Sequence, residues 1–182
     1  MIKEIKYPKF ILFIITVFLA YYFYQVAEYG PLHEQIIELK LVGAFIAGLF
    51  YTYGFTTAFS IAIFLVIAQS NNIVAAAILG GLGALISDFI IFEFIRKAFS
   101  DEIVSLSHEK IIVYINKKVP NTMKKYLIPV LSFLIIASPL PDEIGVGILA
   151  TIRKLSVLEF ILVSFLGNMA GIFIILTIGS LI

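Results

Sequence analysis

Five long apolar runs, separated by polar segments, limit what this chain of 182 residues can fold into. They extend approximately over residues 10–27, 41–69, 73–95, 127–152 and 155–182. A helix of about 20 apolar residues spans the hydrocarbon core of a bilayer. Charged residues make up only 14% of the chain, whereas a soluble domain has about 25%. The sequence therefore predicts an all-α integral membrane protein, located in the plasma membrane.

The N-terminal segment combines basic residues with the first apolar run, as a signal peptide does. The run continues to about Ala27, however, and has bulky tyrosines where a cleavage site requires small residues. A retained anchor helix is therefore the preferred interpretation. We assign residues 1–40 to this anchor and an external loop, and residues 41–182 to a domain with two halves. The halves are 41–96 and 127–182, and an amphipathic segment, 97–126, joins them on the cytoplasmic side.

Two of the apolar runs are interrupted near their middle. The second run is broken by "YTYGFTT", residues 51–57, and the fourth by "SPLPDEIG", residues 138–145. A helix from Leu41 to Tyr53 would rise about 20 Å, which is short of the hydrocarbon core of roughly 30 Å. Each interrupted run is therefore either one kinked crossing or a re-entrant hairpin that returns to the side from which it entered.

The distribution of basic residues favours hairpins, because cytoplasmic loops are enriched in Lys and Arg. With two hairpins and a cytoplasmic N-terminus, 12 of the 13 basic residues lie inside and only Lys40 lies outside. With two crossings, the seven basic residues between 96 and 126 join Lys40 outside, and the split becomes 5 to 8. The sequence thus predicts three membrane-spanning helices, two re-entrant helical hairpins and an external C-terminus.

The two halves also align with each other at an offset of 84 residues. This offset pairs Thr57 with Pro141, Asn72 with Ser156, Gly83 with Gly167, and Ser87 with Gly171. Small residues one turn apart in a span permit close helix packing. Because one span separates the two hairpins, they are expected to enter from opposite faces, as an inverted repeat. In transporters, such a repeat places a binding site near the membrane midplane.

The second interruption carries two adjacent carboxylates. Pro139 and Pro141 are expected to end the incoming helix, and Gly145 and Gly147 to permit a tight turn. Asp142 and Glu143 are then predicted to hang from a non-helical tip. Carboxylates at membrane depth indicate a polar pathway, a proton site or a cationic partner. The alternative is a shallow tip whose acids lie in cytoplasmic water.

Further polar side chains lie in the first half. By helical rise, Asp88 is about 10 Å inside the cytoplasmic end of the third run, which predicts a functional or charge-pairing role. Arg96 lies on the same helix face and either takes part in the substrate or ion pathway or stays at the membrane boundary. Around Gly54, the hydroxyls of Thr56 and Thr57 either contact a ligand or bond to their own backbone.

The sequence contains no nucleophile–base pair, phosphate loop or zinc-ligand spacing, and no cysteine for a disulfide or thiolate site. Asp88 and Asp142 would form a pair like that of an intramembrane aspartyl hydrolase, but the sequence does not specify the geometry. We therefore expect a protein that is not an enzyme and that has neither a cofactor nor a metal site.

Residues 41–182 resemble the DedA family of the VTT (SNARE-associated) membrane superfamily. The family's span motif has a small residue, an aspartate, an aromatic residue and an arginine after a glycine-rich stretch. In "GALISDFIIFEFIRK" these positions are Gly83, Asp88, Phe92 and Arg96, with Ile95 in place of the usual glycine. The family's second half has a Pro-rich tip, then a basic residue and a span with a late glycine. The corresponding residues are Pro139, Pro141, Arg153, Phe160 and Gly167.

The chain departs from the family pattern at both tips. The first tip has Thr56 and Thr57 where the family usually has an acidic residue. The second has Asp142, Glu143 and Ile144 where the family usually has an arginine after the proline. The acidic residues thus lie in the second hairpin instead of the first. This departure concerns the proton-coupling scheme that the family implies, and it leaves the implied architecture unchanged.

The resemblance implies a transport domain that moves lipids between leaflets, as a scramblase or flippase of phospholipids or polyprenyl phosphates. Asp142 and Glu143 would line the headgroup path, with one acid protonated or paired with Arg153. Two alternatives stay open, a proton- or sodium-coupled exporter of a small soluble solute and a membrane scaffold without transport. The expected partners are membrane lipids, with protons or sodium as coupling ions. Nucleic acid is not expected, and a homo-oligomer is compatible with the sequence.

Overall fold

The computed structural model describes residues 8–29, 32–69, 72–98, 121–138, 142–150, 152 and 155–181. All regular secondary structure in these ranges is α-helical, which confirms the all-α part of the prediction for the described residues. The helices are α1 (Pro8–Tyr29), α2 (Leu32–Tyr51), α3 (Thr57–Ile67), α4 (Ile73–Ala98), α5 (Asn121–Ile136), α6 (Asp142–Ala150) and α7 (Val157–Gly179). Most of the predicted amphipathic segment lies outside the described residues.

Two of these helices, α4 and α7, are long and apolar enough to cross a membrane. The apolar segments Leu41–Tyr51 in α2, Thr57–Ile67 in α3 and Leu127–Ile136 in α5 are shorter than a span. Large apolar side chains point outward at every fourth position of α4 and along most of α7. They are Val74, Ile78, Leu82, Ile86, Ile90 and Phe94 on α4, and Leu158, Leu162, Leu166, Ile174 and Ile178 on α7. A soluble monomer rarely exposes contiguous apolar surface of this extent.

Helices α4 and α7 form the central pair of the fold and run in opposite directions. At one end of the pair, the rings of Phe92 and Phe160 stack with centroids 4.0 Å apart. At the other end, a Cβ atom on Gly80 would lie 3.2 Å from the Cδ1 atom of Ile172. Residue numbers therefore fall along α7 as they rise along α4, which defines an antiparallel contact.

Helix α2 packs against α4 in the same direction. A side chain on Gly83 would collide with the carbonyl of Phe45. One turn later in both helices, the Ser87 hydroxyl donates a 2.6 Å hydrogen bond to the Leu49 carbonyl. A short turn over residues 52–56 then reverses the chain into α3. The second apolar run is thus a helical hairpin whose first arm is parallel to α4.

The second half repeats this arrangement with α5 and α7. A Cβ atom on Gly167 would lie 3.5 Å from the Phe133 carbonyl oxygen, and one on Gly171 would lie 2.8 Å from that of Ala137. The small residues on α4 and α7 are 84 positions apart, as predicted (167 − 83). The carbonyls that they face are 88 apart (133 − 45), one helical turn more than the predicted offset.

Each central helix also contacts the hairpin of the other half. Helix α6, the second arm of the second hairpin, packs on α4, and α3, the second arm of the first, packs on α7. A Cβ atom on Gly179 would lie 2.8 Å from that of Ala68, which places the ends of α3 and α7 together. Helix α1 lies outside this arrangement and contacts α3, where Phe23 and Phe59 meet edge to face. The contacts within residues 32–181 therefore follow a two-fold pattern.

Candidate functional site

Asp88 is fully buried at the contact between α4 and α7, with 0% of its surface exposed. Its Oδ2 atom accepts a 2.7 Å hydrogen bond from the Ser164 hydroxyl and a 2.8 Å hydrogen bond from the Asn168 amide. The same amide nitrogen donates to the Ser164 carbonyl at 3.1 Å. Both neighbours of this nitrogen are acceptors, so the orientation of the Asn168 amide is fixed. The Asp88 Oδ1 and Asn168 Oδ1 atoms have no hydrogen-bond partner among the described residues.

Ser164 and Asn168 are not among the site residues predicted from the sequence. They lie one turn apart and therefore project from the same face of α7 toward Asp88. The sequence does contain an indication of their role, because they are the two polar side chains of α7 between Glu159 and Thr177. Polar side chains in the middle of a span usually face the protein interior.

Asp142 and Glu143 occupy the first turn of α6, so the predicted non-helical tip is wrong at these positions. Acidic side chains stabilise the positive end of a helix dipole, and a proline before the first turn favours a helix start. Gly145 and Gly147 therefore lie inside α6 instead of forming a turn. A Cβ atom on Gly145 would lie 2.8 Å from Ile136, so this glycine allows α5 and α6 to approach closely. Gly147 has no such close neighbour.

The two interrupted runs meet at a hydrogen bond. The backbone N–H of Gly54, in the turn between α2 and α3, donates to Glu143 Oε1 at 2.9 Å. Gly54 thus lies at a break in the helix, as predicted, and its freed N–H has a partner from the other half. We call this contact the tip contact. Pro139, Pro141 and Arg153 lie outside the described residues.

Asp142 is 1% exposed, and neither of its carboxylate oxygens has a hydrogen-bond partner among the described residues. It lies close enough to Asp88 and Glu143 for the ionised carboxyls to repel one another. Tyr51, at the end of α2, lies near Asp142 and Asp88, and its buried hydroxyl also has no partner in this part of the chain. The tips and the central helices therefore enclose one group of polar residues. This group, the central cluster, consists of Tyr51, Asp88, Asp142, Glu143, Ser164 and Asn168.

The basic residues of α4 lie away from the central cluster. The Arg96 guanidinium is 5.0 Å from the centre of the Phe92 ring, which is a cation–π distance. Lys97 forms a 2.9 Å ion pair with Glu93 near the end of the helix. Asp88 contacts the hydroxyl and amide of α7 and no basic side chain among the described residues, and the predicted role of Arg96 in the substrate or ion pathway stays a prediction.

The hydroxyls of Thr56 and Thr57 donate hydrogen bonds to backbone carbonyls near the end of α2. The Thr56 hydroxyl donates to the Phe50 carbonyl at 2.5 Å. The Thr57 hydroxyl is 2.8 Å from both the Tyr51 and the Tyr53 carbonyl. The last carbonyls of a helix lack partners within the helix, and these hydroxyls satisfy them. Of the two interpretations of these threonines, the structure supports bonding to their own backbone.

The central cluster is rich in oxygen atoms, but its carboxyls do not converge on one point. Among the described residues there is no group of three or more His, Cys, Asp or Glu side chains arranged to hold a metal ion. The cluster is chemically suited to accept hydrogen bonds and to compensate positive charge.

Comparison of the chain with protein-family models, with curated proteins and with solved structures finds no match. The resemblance to the DedA family stays a prediction from the motifs of the sequence.

Proposed function

We propose that this chain is an integral membrane transporter that moves lipid headgroups between leaflets along the seam where two re-entrant hairpins meet. The distribution of side chains supports a membrane location. Large apolar side chains cover the outer faces of α4 and α7, whereas Asp88, Ser164 and Asn168 are completely buried between them. This is the reverse of the arrangement in a soluble protein, and it suits hydrocarbon outside and a polar path inside.

The directions of the helices support re-entrant hairpins. Helix α2 runs parallel to α4, and α4 begins six residues after the end of α3 (73 − 67). If α2 and α3 together crossed the membrane once, α4 would have to run opposite to α2. The parallel contact between α5 and α7 supports the same conclusion for the second hairpin. Because α4 and α7 are antiparallel, the hairpins enter from opposite faces in this proposal.

The tip contact is the observation that carries the proposal. It joins Gly54 to Glu143, and residues next to these two in the chain face outward. Tyr53 is 36% exposed, Phe55 49% and Ile144 54%. The seam between the tips therefore extends from the buried carboxyls to the surface that faces lipid. A headgroup that leaves water loses its hydration and needs polar partners in exchange. The seam supplies such partners, while the acyl chains of the lipid stay in the bilayer.

The central cluster supports coupling to a cation. An ionised carboxylate that is buried without partners is strongly destabilised, and a bound cation or proton removes that cost. Protons and sodium are the coupling ions that we expect. The complete burial of Asp88 and Asn168 also favours a second candidate, an exporter of a small soluble solute with an occluded site. A scaffold without transport would tolerate neutralisation of Asp88, Asp142 and Glu143.

Reconstitution of the purified chain tests this proposal. A fluorescent phospholipid with a labelled acyl chain is placed in one leaflet of the vesicles, and its exchange is followed by extraction with albumin. We expect the protein to accelerate exchange above that of protein-free vesicles. A folded and inserted protein that moves no phospholipid or polyprenyl phosphate, with or without a proton gradient, would exclude the lipid function. Uptake of a solute by the same vesicles would then favour the second candidate.

A further inference from the structure

We infer that the central cluster binds an ammonium group, and that the preferred cargo is therefore a molecule with a primary amine. This inference rests on the proposed transport function and names the chemical class of its cargo.

When they are ionised, the acidic side chains of the cluster offer only acceptor atoms. Both oxygens of Asp142, Oε2 of Glu143 and Oδ1 of Asp88 are buried and have no hydrogen-bond partner in the part of the chain that the structure describes. A primary ammonium group carries three N–H donors and one positive charge. Bound at the Asp142 carboxyl, it donates to both free oxygens of that side chain and compensates its negative charge. A phosphate group has only acceptors at neutral pH and would meet like charges.

Asn168 gives independent support because it is not acidic. Its amide nitrogen is fixed by Asp88 and by the Ser164 carbonyl, so its Oδ1 atom is held as an acceptor. That oxygen has no partner among the described residues, and Asn168 is fully buried. A buried acceptor that is left unsatisfied costs about 1–3 kcal/mol. A ligand that donates hydrogen bonds would remove this cost, whereas a ligand that only accepts would not.

The positions of the basic residues point to the same class of ligand. On α4, Arg96 lies over Phe92, and Lys97 pairs with Glu93. The described members of the central cluster include three carboxyls and no Lys, Arg or His. Glu143 leads from this cluster to the tip contact, next to the exposed Ile144. An amine that enters along the seam would therefore meet Glu143 first and Asp88 last.

Two sources of the ammonium group are distinguished by experiment. The first is the headgroup of phosphatidylethanolamine, and the second is a soluble amine. The full chain is reconstituted in phosphatidylcholine vesicles that contain phosphatidylethanolamine or phosphatidylglycerol with the same acyl label. We expect phosphatidylethanolamine to exchange about tenfold faster, which corresponds to roughly 1.4 kcal/mol of preference. In a parallel arm, radiolabelled ethanolamine is offered outside the vesicles.

The outcomes separate the inference from the proposed function. Uptake of ethanolamine without lipid exchange would support an ammonium site and identify a soluble cargo. Equal exchange of both lipids, or faster exchange of phosphatidylglycerol, together with no ethanolamine uptake, would overturn the inference but leave lipid transport in place. Movement of none of these molecules by inserted protein would overturn both.

In variants, the ratio of two lipid exchange rates is a readout that does not depend on the amount of folded protein. Asp142→Asn and Glu143→Gln each replace an ionisable carboxyl of the cluster by a neutral amide. We expect each to lower the ratio of phosphatidylethanolamine to phosphatidylglycerol exchange, measured in the same preparation, toward one. Glu93→Gln, at the ion pair with Lys97 outside the cluster, is the matched control and should keep the wild-type ratio. An unchanged ratio in both cluster variants would contradict an ammonium site.

Discussion

Glu143 Oε1 accepts a 2.9 Å hydrogen bond from the backbone N–H of Gly54, and these residues belong to different halves of the chain. The contact joins the only turn of the first hairpin that the structure describes to the first turn of α6. It stabilises the backbone at a helix break, where an N–H group would otherwise lack a partner. It also closes the seam beside the buried Asp142. The Glu143 side chain therefore stabilises the fold and also lines the proposed path.

Two substitutions at Glu143 separate the hydrogen bond from the charge. Glu143→Gln keeps an acceptor oxygen for Gly54, whereas Glu143→Ala removes it and leaves a partly buried N–H unsatisfied, at about 1–3 kcal/mol. We expect Glu143→Ala to lower the melting temperature in detergent clearly and Glu143→Gln to lower it little. Equal melting temperatures for the two variants would show that the tip contact does not stabilise the protein.

Asp88→Asn should abolish transport while the protein stays folded and inserted. The replacement keeps one acceptor oxygen, in place of Oδ2, for both Ser164 and Asn168 but removes the ionisable carboxyl from the cluster. Leaflet exchange and the elution profile in size-exclusion chromatography are measured on the same preparation, with Glu93→Gln as the surface control. Full activity of Asp88→Asn would show that transport does not require the Asp88 carboxyl.

Arg96→Lys should have little effect on transport. Arg96 lies over the Phe92 ring, and a lysine ammonium can occupy the same position over an aromatic face. A bidentate contact with a carboxylate, by contrast, would depend on the guanidinium group. A strong loss of exchange in this variant would indicate a contact of Arg96 with substrate or with another part of the chain.

Two glycine substitutions test the close packing of the first half. Gly83→Ala places a methyl group against the Phe45 carbonyl on α2, and overpacking of this kind costs about 1–3 kcal/mol. Gly147→Ala introduces the same methyl group where the nearest atom, Ile95 Cδ1, is 3.9 Å away. The gain in helix propensity there is about 1 kcal/mol or less. Thermal melting should therefore separate the two variants, and a similar loss in both would contradict the described α2–α4 contact.

Cysteine labelling tests the topology, since the chain contains no cysteine. Single cysteines at Glu34, Asn71 and Lys117 are exposed to an impermeant thiol reagent in intact cells. The distribution of basic residues predicts labelling of the first two positions and protection of the third. Labelling at Lys117 from outside would exclude the arrangement with two hairpins.

The sequence alone predicted the features that depend on composition and local chemistry. The helical class and the break around Gly54 follow from apolar length and helix-breaking residues. The functional role of Asp88 stays a prediction. The prediction of a non-helical segment at Gly145 and Gly147 was wrong because the acids at the start of α6 stabilise a helix that the glycines alone would weaken.

The part of the site that the sequence did not reveal depends on contacts between helices that are far apart in the sequence. Ser164 and Asn168 meet Asp88 across a separation of 76 and 80 residues. Helical periodicity identifies the face on which a residue lies but not the helix that this face contacts. For the same reason, the sequence did not show that Arg96 turns to Phe92 or that Glu143 reaches Gly54.

A reversible restraint on the tips tests the central claim most directly. Phe55→Cys and Ile144→Cys place thiols on the exposed neighbours of the tip contact, in a chain without other cysteines. Leaflet exchange of an acyl-labelled phospholipid is measured by albumin extraction after oxidation and again after reduction of the same vesicles. The account predicts that protein in which the cross-link has formed loses exchange, and that reduction restores it. Undiminished lipid exchange in fully cross-linked protein would contradict a path between the tips.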